Sequence, residues 1–288
     1  MKRVAALLVL LAACREEPKT DLIRMDSAHQ EDVVQWQEKR DQRLRAEDSW
    51  LTLIGLHWLN EGANDITLKP GEDVRLARSG DTVTLEPSGA MTIGGAPVTA
   101  PVALRDDTHE QGPTLVDRGS IRFNVIKRGD RFALRVKDAQ AETRTHFQGL
   151  EYFPIDPKWR VEARLEPYTP VRKIPIDDVT GMRSDYEAPG ALVFTVDGKE
   201  YRLDPFSEGD ELFIIFNDET RKDATYPAGR YLYSKKPGPD GKVIVDFNKA
   251  YNPPCAFTPF ATCPLPPQQN RLPVRVEAGE KRYSGGHG

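Results

Sequence analysis

The residues best equipped for chemistry gather in one stretch near the C-terminus, 242–280, which reads KVIVDFNKAYNPPCAFTPFATCPLPPQQNRLPVRVEAGE. It carries Asp246, Asn248, Asn252 and Asn270 with the thiols of Cys255 and Cys263, and prolines fix φ through much of it. Just upstream, Asp218 ends the apolar run 212–216, while Asp223 and Arg230 bracket the turn that follows. Period-two alternation predicts Ile244, Asp246 and Asn248 on one strand face, turning from apolar to polar at the strand's end. If these strands pair, Asp218, Asp223, Arg230, Asp246, Asn248, Asn252 and Asn270 form a candidate ligand site. Carboxylates, one arginine and amides suit a small polar organic ligand such as a sugar or a carboxylate. The same oxygens also suit a hard cation. The plainer alternative is that Asp and Asn side chains only cap turns through nearby backbone N–H groups.

Familiar mechanisms find little support. There is no G-x-S-x-G elbow, no H-E-x-x-H helix and no phosphate-binding glycine loop. A thiol nucleophile needs a histidine base, and none stands in the hundred residues before His287. His57, between Leu56 and Trp58, reads as a core histidine. Zinc on Cys255 and Cys263 lacks further ligands, so no metal and no cofactor is expected. Binding and catalysis both stay open.

The first residues say where this chemistry takes place. Met1-Lys2-Arg3, an apolar run from Val4 to Leu10, and Leu11-Ala12-Ala13-Cys14 read as a secretory signal. Its ending resembles a bacterial lipobox, which implies cleavage before Cys14 and lipidation of that thiol. The expected location is the cell envelope, membrane-attached through the lipid. Arg15 occupies the position where aspartate would favour the inner membrane, so the outer membrane, facing the periplasm, is the expectation. Loss of residues 1–13 moves the formal net charge from −4 to −6. Such a chain lacks the basic footprint of a nucleic-acid binder. In an oxidising envelope, with Cys14 acylated, Cys255 and Cys263 are the remaining thiols and are expected to form a disulfide. The alternative is two reduced cysteines packed as small apolar residues.

The elements that must position these groups are mainly β. After the signal and a polar tether (14–27), a helix is predicted from Ala28 to about Leu51. Ser27 and Gln30 make its capping box, and Val33, Trp36, Arg40 and Leu44 its thin apolar stripe. An apolar plug (48–62) follows. Hairpins are predicted around Ser79-Gly80-Asp81, Gly94-Gly95, Arg128-Gly129-Asp130 and Asp197-Gly198. A strand is expected at 273–277. The expected class is an N-terminal amphipathic helix followed by antiparallel β-sandwich or barrel-like lobes. These are divided as helix and plug 28–62, one β lobe 63–170, a second 171–283 and a tail 284–288.

Three stretches taken together, 49–62, 212–233 (LFIIFNDETRKDATYPAGRYLY) and 245–280 with its NPPC, CPLPP and N-R-L pieces, resemble the bacterial and archaeal family called domain of unknown function 1684. That family has no established reaction, cofactor or substrate. The resemblance therefore supplies no functional residues. A second reading of the whole is a non-enzymatic envelope protein whose rigid loop docks a partner, with an exposed apolar patch at Phe257, Phe260 and Leu265.

Overall fold

The computed structural model describes residues 19–285, with side chains from Ser27 onward. The signal segment, Cys14 and residues 286–288 lie outside the described residues. Helix α1 spans Lys19–Arg45, so it begins inside the expected tether and Ser27 is not its cap. A run rich in Glu, Gln, Lys and Arg, with no Gly or Pro, propagates helix readily in both directions. It stops at Arg45, six residues early. Ala46–Ser49 then turn, and Asp48 is held by Arg43 while its carbonyl accepts from Lys137. The predicted stripe is the docking face: Val33 and Leu44 are buried, Trp36 and Arg40 half-buried.

The plug forms a 3-10 turn at Trp50–Thr52 and β1 (Leu53–Trp58). Then come β2 (Gly62–Lys69), β3 (Glu72–Ser79), β4 (Thr82–Glu86), the short β5 (Thr92–Ile93) and β6 (Ala96–Pro97), and β7 (Val102–Leu104). Next are β8 (Val116–Arg118), β9 (Ile121–Arg128) and β10 (Arg131–Asp138). They make a six-stranded sheet, β1-β10-β9-β8-β5-β6, and a four-stranded sheet, β2-β3-β4-β7. One apolar cluster is shared by both, with Ile66, Leu76 and Leu85 from one and Phe123, Val125 and Leu134 from the other.

A one-turn helix, α2 (Glu142–Thr145), leads to β11 (Arg160–Asp177), β12 (Arg183–Val196), β13 (Lys199–Leu203), β14 (Phe206–Glu208), β15 (Glu211–Asp218), β16 (Arg230–Lys235), β17 (Lys242–Asp246) and β18 (Arg271–Leu272). The sheets are β13-β12-β11-β17 and β14-β15-β16, with β18 parallel to β15. β15 reads as a continuous apolar run because both its faces are covered: Ile214 and Phe216 join one core, Phe213 and Ile215 another. Phe247 lies between the sheets, its ring centroid 6.1, 5.7 and 5.4 Å from those of Trp159, Phe194 and Phe216. Phe247→Ala would therefore cost about 3–5 kcal/mol.

β11 spans 160–177, its pairing with β12 shifting register between Pro167 and Arg172, and the residues beyond that shift form the outer half of the β11–β12 hairpin. Two expectations are corrected. Residues 273–277 are not a strand: side chains of Asp218 and Arg230 take up the N–H and carbonyl of Val276 at its centre. On β17 it is Val243 and Val245 that face the core, while Ile244 is exposed. The alternation ends at Asp246, which caps a 3-10 turn at Phe247–Lys249 by accepting from the Asn248 N–H.

Candidate functional site

The predicted polar residues fall into separate groups, each with its own partners. Arg230 and Asp218 are brought together and fully buried: Nη2 donates to Asp218 Oδ2 at 2.7 Å. The same guanidinium also donates to the carbonyls of Val276 and Ala278. Asp218 Oδ1 accepts from the Thr220 N–H (2.9 Å), the Thr220 hydroxyl (2.6 Å) and the Val276 N–H (3.2 Å). Burial pulls the Arg230 pKa down against the opposing pull of Asp218. With every carboxylate oxygen engaged, this pair clamps 274–278 onto β15, and removing one partner would cost about 3–5 kcal/mol. Asp223 lies at the surface, ion-paired with Arg275 at 3.1 Å.

Asp246 and Asn248 bind each other and two neighbours. Asp246 Oδ2 lies 2.7 Å from His29 Nε2 on α1, and Asn248 exchanges two 3.0 Å hydrogen bonds with the backbone of Asp156. Asn252 donates from its backbone to Glu280 Oε2 (2.7 Å) and from Nδ2 to the Lys281 carbonyl (2.8 Å), while its buried Oδ1 has no partner among the described residues. Asn270 is a splint: Oδ1 accepts from the Asp204 N–H (2.7 Å), and Nδ2 donates to the Asp204 and Ile215 carbonyls (both 2.9 Å).

The structure does not show the expected disulfide. Cys255 and Cys263 are free thiols, and the Cys255 N–H donates to Cys263 Sγ at 3.1 Å. A 3-10 turn at Pro254–Ala256 aims that N–H at the sulfur, so the two thiols meet as hydrogen-bonding neighbours. The hydrogen bond from Cys263 lowers the Cys255 pKa, whereas burial raises that of Cys263. Thr258 donates to the Leu53 carbonyl and Arg128 to Thr262, so the proline-rich loop forms a seam against the N-terminal sheets.

What Asn270 holds in place is one edge of a cleft of about 1010 Å³ between the outer β11–β12 hairpin and residues 265–269. Asp204, buried beside it, accepts from the Tyr168 hydroxyl (2.8 Å) and from Gln269 Nε2 (3.3 Å). Burial, then the bond to Asp204, raises the Tyr168 pKa. Five cations line the cleft. Arg183 and Arg202 are paired with Asp177 and Glu166. Arg172, whose guanidinium lies 3.8 Å over the Tyr168 ring, Lys173 and Arg271 have no carboxylate partner among the described residues.

Sequence reasoning singled out none of these cations: Arg172 and Lys173 fall just past the expected lobe division at 170, and Arg271 stands in the 245–280 stretch beside Asn270, which alone of the two was taken as a candidate. It missed Glu280 as well, although Gly279 offered a signal. Gly279 sits at φ +76°, and a Cβ there would come 2.4 Å from the Ala250 carbonyl oxygen, so only glycine presses this turn onto the body. The turn carries a fully buried carboxylate into contact with α1. Among the described residues, no group of three or more His, Cys, Asp or Glu side chains is placed to hold a metal ion, and no helix is long and apolar enough to cross a membrane.

Fold and clefts together define a mainly β, antiparallel protein with one long N-terminal helix. Residues 145–281 match the family model described as "Protein of unknown function (DUF1684)", and the resemblance read from the sequence holds across them. The stretch 49–62 lies outside that match. Among solved structures, the solution NMR structure of an uncharacterized protein of Haloarcula marismortui is 33% identical, covering 48% of this chain and 78% of that one, with a TM-score of 0.40. No curated protein matches.

Proposed function

We propose that this protein is an exported lipoprotein that binds a small anionic ligand, a carboxylate or phosphate compound, in the cleft between the β11–β12 hairpin and residues 265–269. One observation carries the reading. Arg172, Lys173 and Arg271 bring to one concavity three positive charges that have no ion-pair partner among the described residues, against the single carboxylate there without an ion pair, Asp204. Beside them, Asp204 is engaged by Tyr168 and Gln269. Pockets of this size with a few convergent polar groups are where small ligands bind. Unpaired guanidinium and ammonium groups select carboxylate and phosphate oxygens. The paired sheets around shared cores are read as sandwich-like lobes that hold the cleft. The docking alternative is less favoured: of the three residues it needs exposed, Phe257 is buried and Phe260 and Leu265 are half-buried.

Location completes the reading. The lipobox sequence Leu11-Ala12-Ala13-Cys14 supports a lipid anchor in the envelope, on the outer membrane facing the periplasm. In that oxidising compartment the adjacent thiols of Cys255 and Cys263 are taken to close into a bridge. Cys14→Ser should release the protein from the membrane fraction or stall its processing; unchanged fractionation and migration rejects the anchor.

The ligand reading is tested by thermal unfolding at low ionic strength with citrate, succinate, inorganic phosphate and glycerol phosphate. Saturation a hundredfold above Kd stabilises by about 2.7 kcal/mol, and Tm moves roughly 2–4 °C per kcal/mol in a chain of this size. The gain should fade with added salt and vanish in Lys173→Glu/Arg271→Glu. If no anion exceeds sodium chloride at matched ionic strength, the reading fails.

A further inference from the structure

A second cleft, of about 400 Å³, opens where α1 crosses the C-terminal sheet, and its walls are aromatic: Trp36, Trp50, Tyr231, Tyr233 and Tyr251, with Arg40 from the helix. The rings form a platform. Phe213 and Tyr233, opposite each other on β15 and β16, stack at 4.9 Å with planes 25° apart. Tyr233 and Tyr251 continue the layer at 6.4 Å and 11°. Trp36 leans over Tyr251 at 6.3 Å and 49°. Tyr233 is exposed and Trp36, Trp50 and Tyr251 are half-buried, so this aromatic layer is open at the cleft, the kind of apolar surface that marks a binding site.

Polar groups on and beside the lining constrain that occupant. Arg40 spends Nε on Glu280 and Nη2 on the Asn252 carbonyl; its Nη1 has no partner among the described residues. The lining Tyr233 donates to the exposed Glu208 Oε2 at 3.0 Å, leaving Oε1 without a described partner. The cleft therefore offers a donor on Arg40, and the Tyr233 hydroxyl carries an acceptor, Glu208, beside it.

Charge removes the remaining options. A cationic ligand would meet Arg40, already 4.7 Å from the Tyr251 ring centre. An anionic ligand would face the negative π faces and Glu208, and would find Arg40 already neutralised by the buried carboxylate of Glu280. A neutral ring escapes both penalties. A pyranose has C–H groups on its faces to lie against aromatic rings, and hydroxyls around its edge that both accept and donate.

We propose that this cleft binds a neutral sugar ring, stacked on the Tyr233–Tyr251 platform under Trp36, with its hydroxyl edge shared between Arg40 Nη1 and Glu208. The site is separate from the cationic cleft and stands or falls independently of it.

Because Trp36 and Trp50 line the cleft, intrinsic fluorescence reads occupancy directly. The full-length protein is titrated with glucose, N-acetylglucosamine and the β-1,4 disaccharide of each, to about 50 mM, since isolated sugar sites bind near the millimolar end of the affinity scale. Glucosamine, glucuronate and phenol serve as cationic, anionic and plain aromatic comparisons. The expected result is a saturable change with at least one neutral saccharide. It should weaken tenfold or more in Trp36→Ala, followed through Trp50, and in Tyr233→Ala, while Lys173→Glu/Arg271→Glu leaves it unchanged. Chemical shifts of the indole N–H groups give the same readout by NMR. Three results each overturn the proposal: no saturable response to any neutral saccharide, a charged or phenolic compound binding as tightly, or unaltered binding in a folded Trp36→Ala or Tyr233→Ala variant.

Discussion

Arg40 and Glu280, 240 residues apart, form a buried ion pair in which Arg40 Nε donates to Glu280 Oε1 at 2.8 Å. Glu280 is fully buried, its other oxygen accepts from the Asn252 N–H, and Arg40 Nη2 reaches the Asn252 carbonyl. Burial opposes the charge on Arg40, but Glu280 prevails and the Arg40 pKa is raised. Helix, loop and C-terminal turn are thus tied at one point.

Breaking that point should be costly and strongly coupled. Glu280→Gln leaves a buried guanidinium without its counter-charge, a loss of about 3–5 kcal/mol. Arg40→Met in the Glu280→Gln background should cost much less than in the wild type. A double-mutant cycle by urea unfolding measures this, and a coupling energy near zero would make the pair incidental.

The base Lys137 predicts a stability profile that climbs at alkaline pH. Its ammonium lies near the Trp50 ring, and burial, outweighing nearby Asp48, lowers its pKa from 10.5 to about 8. Between those values the folded state has released a proton that the unfolded chain still holds. Unfolding then binds protons, and stability rises with pH from about 8 towards 10. Above 10 the buried tyrosines, Tyr231 and Tyr251 among them, with pKa values raised by burial, reverse the trend because only the unfolded chain ionises them. Lys137→Met should flatten the rise between pH 8 and 10 in urea midpoints. An unchanged slope assigns the rise to other groups.

The two cysteines should differ in reactivity when reduced. Cys255 is half-buried with a lowered pKa, whereas Cys263 is buried with a raised one. Iodoacetamide at pH 7.5 should therefore label Cys255 first, as only the thiolate attacks. Peptide mapping decides between this order and equal labelling. In protein exported natively, a non-reduced digest should show the 255–263 bridge; free thiols at both positions would exclude it.

Much of the β architecture was legible in the sequence because hairpins announce themselves locally. Asp197 and Gly198, at φ 50° and 75°, form the turn their dipeptide demands, and β9 and β10 pair across Arg128-Gly129-Asp130 as alternation predicts. The candidate site was less legible because a polar side chain does not show whether its partner is a ligand or the backbone. Asp218, Asn248 and Asn270 spend their hydrogen bonds inside the fold. Arg172, Lys173 and Arg271, which have no ion-pair partner among the described residues, look in sequence like any surface charge. Only the β11–β12 hairpin, folded against residues 265–269, sets them around one cleft.

The docking of α1 on the Gly279–Glu280 turn also fixes an order of events. During synthesis Arg40 emerges 240 residues before Glu280, and Asp246 and Lys249, which hold His29 and Asp32, follow those residues by 217. The helix cannot complete its docking until these partners have arrived. A chain truncated before Gly279 would therefore lose the Glu280 tie that holds α1.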